Sequence, residues 1–291
     1  TELVCLTSTI TAKCGLLLES SSSSNNDLHS NNAPILVASS CKARDVDNAS
    51  IRLWNVEESI CTQVLKGGHR STVAALAFSS DGKYLASSGK DRRLCIWRRE
   101  DKSPAESPTF ELACGLDSAH KRIVWTLSFC PLHPTILASG ARDGLVKIWQ
   151  VAESSTSPTT DGDGVLQSNT NQLHSFQPAL EGDEKGAVTA VAFAPVTLSN
   201  PESTTEEGIL AVGLESGHIR IWSIPFDASQ TCRLLHALAP SDCHFSTVKK
   251  LCWKPIATKP EEVRSMDNCQ LTLASCGVDH GVRIFKFEIR G

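Results

Sequence analysis

Short apolar runs recur along the whole chain, and polar turn residues separate them. Five of these runs are alike: SIRLWNV (50–56), RLCIWRR (93–99), LVKIWQV (145–151), HIRIWSI (218–224) and GVRIFKF (281–287). A second run, such as YLASSG or ILASGA, precedes each of them. A third run, such as TVAALAF or IVWTLSF, lies upstream again, and ELVCLTS is its weaker form in the first unit. In four units a further apolar run follows, as in CTQVLKG. Short β-branched or aromatic runs bounded by Gly, Asp, Asn or Pro are typical of strands.

The pattern of each unit therefore predicts four antiparallel strands. This repeated pattern resembles the blade of a WD-repeat β-propeller. The chain is expected to be all-β, with one propeller segment over residues 1–291. The predicted blades span approximately residues 3–66, 70–116, 121–180, 187–239 and 245–289. The fifth blade lacks an outermost strand. We expect an excised part of a ring of about seven blades, with the missing strand and about two blades upstream of Thr1.

A polar quartet recurs with the strands. It consists of His69, Ser87, Asp91 and Trp97, then His120, Ser139, Asp143 and Trp149, and finally His244, Ser275 and Asp279 with Phe285 in the Trp position. A His, a Ser and an Asp could form a hydrolase triad, but a duplicated triad without a nucleophile elbow or oxyanion motif argues against an enzyme. The resemblance to WD repeats implies a buried hydrogen-bonded chain that stabilises each blade. The fourth unit departs from it with Val212 and Ser216, and the first has Asn48 in the Asp position.

The connections between strands predict two unlike faces. Long polar insertions separate first from second and third from fourth strands, at 19–34, 100–109, 152–171, 196–208 and 256–270. In an antiparallel blade these connections leave the same end, so one face carries all five. The opposite face has short turns and much of the basic charge, from Lys42, Arg44, Arg70, Lys90, Arg92, Lys121, Arg122 and Arg142. These residues are a candidate surface for an acidic partner or RNA phosphates, or simply a solvated surface.

Composition narrows the functional classes. The net charge of −4 and pI near 6.1 give no global cationic field for nucleic acid. No apolar run approaches the ~20 residues of a membrane helix. The twelve cysteines form no CxxC pair and several lie in apolar runs, so we expect reduced thiols and a cytosolic or nuclear protein. Because no phosphate-binding loop, dinucleotide-binding glycine pattern or metal spacing occurs, we predict neither a cofactor nor catalysis.

Six sequence segments indicate one protein family. SCKARDVDNASIRLWN, AHKRIVWTLSF, GAVTAVAFAPV, AVGLESGHIRIW, VKKLCWKP and LASCGVDHGVRIF resemble the C-terminal propeller of the WD-repeat subunits of the Elongator complex. The resemblance covers almost the whole chain between the insertions. It implies a non-catalytic assembly subunit beside a large scaffold subunit and a radical-SAM/acetyltransferase subunit, in a complex that modifies wobble uridines of tRNA. Iron–sulfur and acyl-CoA chemistry would then belong to the partner.

Two alternatives remain open from the sequence. A generic WD-repeat adaptor, for example a substrate receptor for ubiquitin ligation, would associate with a ligase and not with Elongator. A direct RNA-binding propeller would use the short-turn face, although no interleaved set of aromatic residues accompanies its cations.

Overall fold

The predicted all-β architecture is confirmed. The computed structural model describes residues 3–8, 35–43, 45–46, 48–100, 108–152, 170–180, 186–199, 206–256 and 269–289. Within these ranges, nineteen strands form five antiparallel sheets in which each strand pairs with its neighbours in the chain. A single 3₁₀ turn, Pro240–Asp242, lies before the last sheet. We refer to the sheets as blades 1 to 5.

The strands of the first three blades follow the apolar runs of the sequence. Blade 1 comprises β1 (Leu3–Ser8), β2 (Leu36–Cys41), β3 (Ile51–Asn55) and β4 (Ile60–Leu65). Blade 2 comprises β5 (Val73–Phe78), β6 (Tyr84–Gly89), β7 (Leu94–Glu100) and β8 (Thr109–Leu116). Blade 3 comprises β9 (Val124–Phe129), β10 (Ile136–Ala141), β11 (Val146–Val151) and β12 (Thr170–Phe176).

Blades 4 and 5 continue the same order. Blade 4 comprises β13 (Val188–Ser199), β14 (Glu206–Leu214), β15 (Ile219–Pro225) and β16 (Arg233–Ala237). Blade 5 comprises β17 (Val248–Trp253), β18 (Cys269–Gly277) and β19 (Val282–Ile289). The first strands contact one another in chain order, β1 with β5, β5 with β9, β9 with β13 and β13 with β17. They are therefore the inner strands of a propeller arc.

The hydrophobic core lies between successive blades. On β11, Val146 and Ile148 are buried and pack with Val191 and Leu210 of blade 4. Glycine permits the close approach at this interface, because a Cβ on Gly140 would lie 2.4 Å from Cγ1 of Val188. Successive side chains of a strand point to opposite faces, and every residue of β6 and β10 is buried, so these blades pack on both faces.

The last blade differs on one face. Val282 and Ile284 occupy the positions on β19 that Val146 and Ile148 occupy on β11, but they are 72% and 68% exposed. No blade covers them within the described residues.

Each inner strand begins with an irregularity. The pairing register of the first strand with the second shifts after the first residue in blades 2 to 5, at Val73/Ala75, Val124, Val188/Ala190 and Val248/Lys250. In blade 3, Val124 pairs with Ala141 and Thr126 pairs with Gly140, so Trp125 has no opposite residue. A bulge of this kind re-aims a side chain. Here it affects the residue nearest the short-turn face.

One insertion is shorter than the sequence suggested. Residues 196–208 were expected to form a polar loop, but β13 and β14 continue into this range and pair Thr197 with Gly208 and Ser199 with Glu206. The strand pair extends because Val196 and Ile209 can pack against the core. The prediction of a long loop there was therefore wrong. The other predicted insertions fall mainly outside the described residues, at 19–34, 101–107, 153–169 and 257–268.

None of the helices described for this chain is both long and apolar enough to cross a membrane.

Candidate functional site

Blades 2 and 3 contain the complete polar quartet as a connected chain, and blade 5 contains its first three members. In blade 3, His120 Nε2 lies 2.7 Å from Ser139 Oγ, Trp149 Nε1 donates to the same oxygen at 2.8 Å, and His120 Nδ1 lies 3.1 Å from Asp143. Blade 2 repeats these contacts: His69 lies 2.7 Å from Ser87 and 2.9 Å from Asp91, and Trp97 donates to Ser87 at 2.8 Å. The sequence positions thus converge because they lie at matched registers on equivalent strands.

One proton arrangement satisfies every member of this chain. The indole N–H of Trp149 donates to Ser139, the Ser139 hydroxyl donates to Nε2 of His120, and Nδ1–H of His120 donates to the Asp143 carboxylate. This tautomer is assigned from the network. The serine oxygen is buried and already bonded on both sides. It therefore has no access to a substrate, and the chain's role is to satisfy buried polar groups.

The carboxylates at the turn end are held in the ionised form. Burial raises the pKa of Asp143, but the hydrogen bond from His120 and those from the backbone N–H groups of Lys121 and Leu145 outweigh it, so the pKa lies below its usual value. The pKa of Asp91 is lowered in the same way. Each Asp therefore also fixes the backbone of the residue that follows the His.

Blade 5 keeps most of the chain. Burial raises the pKa of Asp279, but hydrogen bonds from His244 and from the N–H groups of Gly281 and Phe245 outweigh it and lower this pKa to about 2. His244 lies 2.8 Å from Asp279 and 2.7 Å from Ser275. Phe285 occupies the Trp position and offers no indole donor to the serine, so the chain ends one group early.

Blades 1 and 4 depart further. In blade 1, Trp54 Nε1 donates to Ser39 at 2.8 Å, while the side chain of Asn48 donates to Asp45 in the exposed turn. In blade 4, Val212 occupies the Ser position. The buried Nε1 of Trp222 has no hydrogen-bond partner in the part of the chain that the structure describes.

Blade 4 has a different buried polar group, which the sequence did not reveal. Glu207 is buried at the opposite end of the blade, where the Ser223 hydroxyl donates to its carboxylate and Arg233 Nη2 lies 3.1 Å away. The three residues lie on three different strands, and no repeated word marks them. Only the pairing of β14, β15 and β16 brings them together.

The predicted cations lie on the short-turn face, which we define as the second-to-third strand turns and the links between blades. Their side chains are exposed at Lys42, Arg70, Lys90, Arg92, Lys121, Arg122 and Arg142, and Arg44 lies outside the described residues. The described acids near Lys121 are already engaged, because Asp143 belongs to the buried chain and Asp117 pairs with Arg93 at 2.7 Å. The positive charge of this face is therefore only partly balanced locally.

The face changes character from one blade to the next. The residue directly after the second strand is Lys90 in blade 2, Arg142 in blade 3, Glu215 in blade 4 and Val278 in blade 5. This position is thus cationic in blades 2 and 3, and the charge does not continue into blades 4 and 5.

Two exposed aromatic residues on this face were missed in the sequence. Trp125, at the bulge of β9, is 38% exposed, and Phe245, which follows His244, is 85% exposed with Arg283 5.5 Å above its ring. The sequence could have identified Trp125 by comparison between the repeats, because blades 2, 4 and 5 have the smaller or polar residues Ala74, Thr189 and Lys249 at the same position.

The described residues hold no group of His, Cys, Asp and Glu side chains that could bind a metal ion. The described cysteines are free thiols. Burial raises the pKa of the Cys95 thiol to about 12 and that of Cys130 to about 11. These two thiols are therefore packing residues and weak nucleophiles.

The blades and their polar chains define a WD-repeat β-propeller. The family model described as WD domain, G-beta repeat, matches residues 59–98 and 112–150. These two ranges contain the complete quartets of blades 2 and 3.

Among known proteins, the chain is similar to Elongator complex protein 2 of several organisms. It is 33% identical to the protein of Rattus norvegicus over 263 residues, which is 88% of this chain and 30% of that protein. The corresponding values are 31% over 264 residues for Homo sapiens, with 88% and 30% covered, and 33% over 260 residues for Drosophila melanogaster, with 87% and 28% covered. The resemblance seen in the sequence is confirmed. The chain spans about 30% of the length of these curated relatives.

Proposed function

We propose that this chain is part of a non-catalytic WD-repeat subunit of the Elongator complex and supports modification of tRNA wobble uridines by a radical-SAM/acetyltransferase partner. The observation that carries the proposal is the similarity to Elongator complex protein 2 along 88% of the chain. Its partners would be that catalytic subunit and the large scaffold subunit. We place it in the cytoplasm, with a further nuclear pool.

The chemistry of the described residues supports an assembly role. The histidine, serine and aspartate side chains that could act in catalysis are used within the blades, and each has its hydrogen-bonding capacity met by neighbours. A hydrolase would need an accessible nucleophile beside oxyanion donors. The chain instead offers exposed surface on a rigid scaffold, which suits binding of partners.

The cations of blades 1 to 3 supply the proposed docking surface. Arg70 and Lys121 occupy equivalent positions, because the backbone N–H of each donates to the Asp of its blade at 2.9 Å. The buried chains thus fix the backbone of these two residues, from which the exposed side chains extend. Association through such a surface is expected to weaken as salt rises.

The test is affinity purification of the full-length protein followed by mass spectrometry. We expect recovery of the large scaffold subunit and the catalytic subunit in amounts comparable to the bait. Recovery of a ubiquitin ligase without these subunits would replace the proposal with the generic adaptor function.

Direct RNA binding is a second candidate, favoured by the same exposed cations. Phosphate contacts give binding whose logarithm falls linearly with the logarithm of the salt concentration. Filter binding of tRNA to the purified protein over a salt series tests this candidate. Affinity that is weak at low salt and independent of salt would exclude it.

A further inference from the structure

The place of Trp125 on the short-turn face is unusual for a tryptophan. It lies at the bulge near the start of β9, where it has no opposite residue on β10. The neighbouring strand is close, because the Val191 N–H donates to Thr126 Oγ1 at 3.0 Å. The indole is more than a third exposed. An exposed tryptophan on a rigid strand is a common anchor of protein interfaces.

Three cationic residues lie next to the start of β9, the strand that carries Trp125. Lys121 and Arg122 precede β9 directly, and the Arg142 N–H donates to the carbonyl of Ile123 at 2.8 Å, which fixes the Arg142 turn beside the start of the strand. All three side chains are exposed. The carboxylate of Asp143, the aspartate of the blade 3 quartet, is buried and lies 3.1 Å from Nδ1 of His120. The site therefore combines one apolar surface with three exposed cations, and Asp143, the described carboxylate of this turn, is already hydrogen-bonded within the blade.

We infer that this face binds an acidic protein segment, whose apolar side chain packs on Trp125 while its carboxylates contact Lys121 and Arg122. The inference rests on the proposed docking role and names the chemistry of the partner. A protein segment fits better than a nucleic acid, because the cations give way to Glu215 on blade 4 and because Trp125 is the one exposed large aromatic side chain among the described residues of blades 2 and 3. A single strand of RNA is bound by a continuous basic groove with several stacking platforms.

The test compares three probes on the purified full-length protein: a peptide of alternating Glu and Leu, a polyglutamate of equal charge, and oligouridine. We expect the Glu/Leu peptide to bind more than tenfold tighter than polyglutamate. Trp125→Ala should remove this difference, whereas Trp125→Phe should keep most of it. Leu235→Ala is the matched control, since Leu235 is also 38% exposed but lies on the outer strand β16. Thermal unfolding of each variant shows whether the blade is intact.

Several results would overturn the inference. Equal affinity for the two peptides, or an unchanged preference in a folded Trp125→Ala variant, would mean that Trp125 is no anchor. Loss of oligouridine binding alone in that variant would assign the face to RNA. Recovery of Elongator subunits by the Trp125→Ala protein at the wild-type level, together with either result, would leave the proposed function standing and remove only this inference.

Discussion

Blades 3 and 4 have the same strands in the same register, but they satisfy their buried polar groups in different ways. Trp149 pairs with Leu137 across the strands, as Trp222 pairs with Leu210. In blade 3 the indole joins a hydrogen-bonded chain that reaches the turn. In blade 4 the chain is absent, because Val212 replaces the serine, and the indole N–H is buried without a partner in the described residues.

This difference separates what the propeller requires from what one blade adds. Packing between blades survives in both cases, since Val212 and Leu210 are buried in the same cluster as Ile148. Burial of apolar side chains is therefore sufficient to form a blade, and the polar chain adds further stability where it is present. Blade 4 instead has its buried Glu207 network at the opposite face.

The largest effect is expected from His120→Ala. The substitution leaves Asp143 and Ser139 buried without their partner, and it should lower the free energy of unfolding by about 3 kcal/mol. Chemical denaturation of the full-length protein measures it. The comparison in blade 4 is His218→Ala, because the His218 ring is hydrogen-bonded to Ser216 within a turn. A loss below about 1 kcal/mol is expected there, and equal losses would contradict the account.

Removing each indole N–H should have unequal effects. Trp149→Phe takes away the donor to Ser139, with an expected loss of about 2 kcal/mol. Trp222→Phe removes an N–H that has no partner among the described residues, so its loss should be smaller than that of Trp149→Phe by about 1 kcal/mol. Both changes shrink the ring equally, so their difference reports the hydrogen bond. It is read from denaturation midpoints at constant slope.

Restoring a hydroxyl in blade 4 should be tolerated. Val212→Thr keeps the shape of the side chain and offers an acceptor beside Trp222, so we expect a change of less than about 1 kcal/mol. Val188→Thr places the same hydroxyl in the same apolar cluster. Val188 is equivalent to Val124 of blade 3, which is not a member of the polar quartet. The substitution should destabilise the protein by about 1–3 kcal/mol. Similar values for the two variants would show that the orphan indole does not accept the partner.

The smallest expected effect is a loss of stability at acidic pH. The lowered pKa values of Asp91, Asp143 and Asp279 mean that their stabilisation is present above the unfolded pKa of about 3.9. It is lost as pH falls through the folded pKa, which is about 2 for Asp279. The free energy of unfolding should therefore decline from about pH 4 towards pH 2. Asp143→Asn should have a shallower decline, and an identical slope would contradict the assigned role.

The sequence was sufficient to predict the blades and the polar chains, since both depend on words that recur at fixed spacing. Ser139 and Trp149 could be paired because the second and third strands form a hairpin whose register the pattern determines. The extension of β13 and β14 through 196–208 could not be predicted, because its polar composition is typical of a loop. Tertiary packing of Val196 and Ile209 decided it instead.

The proposed docking surface was predicted only in part. Its cations could be placed from the alternation of faces, and the structure finds the described ones exposed. The prominence of Trp125 depends on a bulge, which shifts one residue out of the alternation and leaves no composition signal. The Glu207 network likewise depends on strand pairing, since its members are scattered along the chain.

The adjacent residues His120, Lys121 and Arg122 give the most direct test of the account, which assigns the first to the fold and the other two to binding. The full-length protein with Lys121→Glu and Arg122→Glu is compared with a control carrying Lys83→Glu and Lys254→Glu, which changes the charge equally on the opposite face. The measurement is association with the co-purified subunits over a salt series. The account predicts unchanged thermal unfolding in both, and at least tenfold weaker, less salt-dependent association in the first alone. Equal association of the two variants at every salt concentration would contradict it.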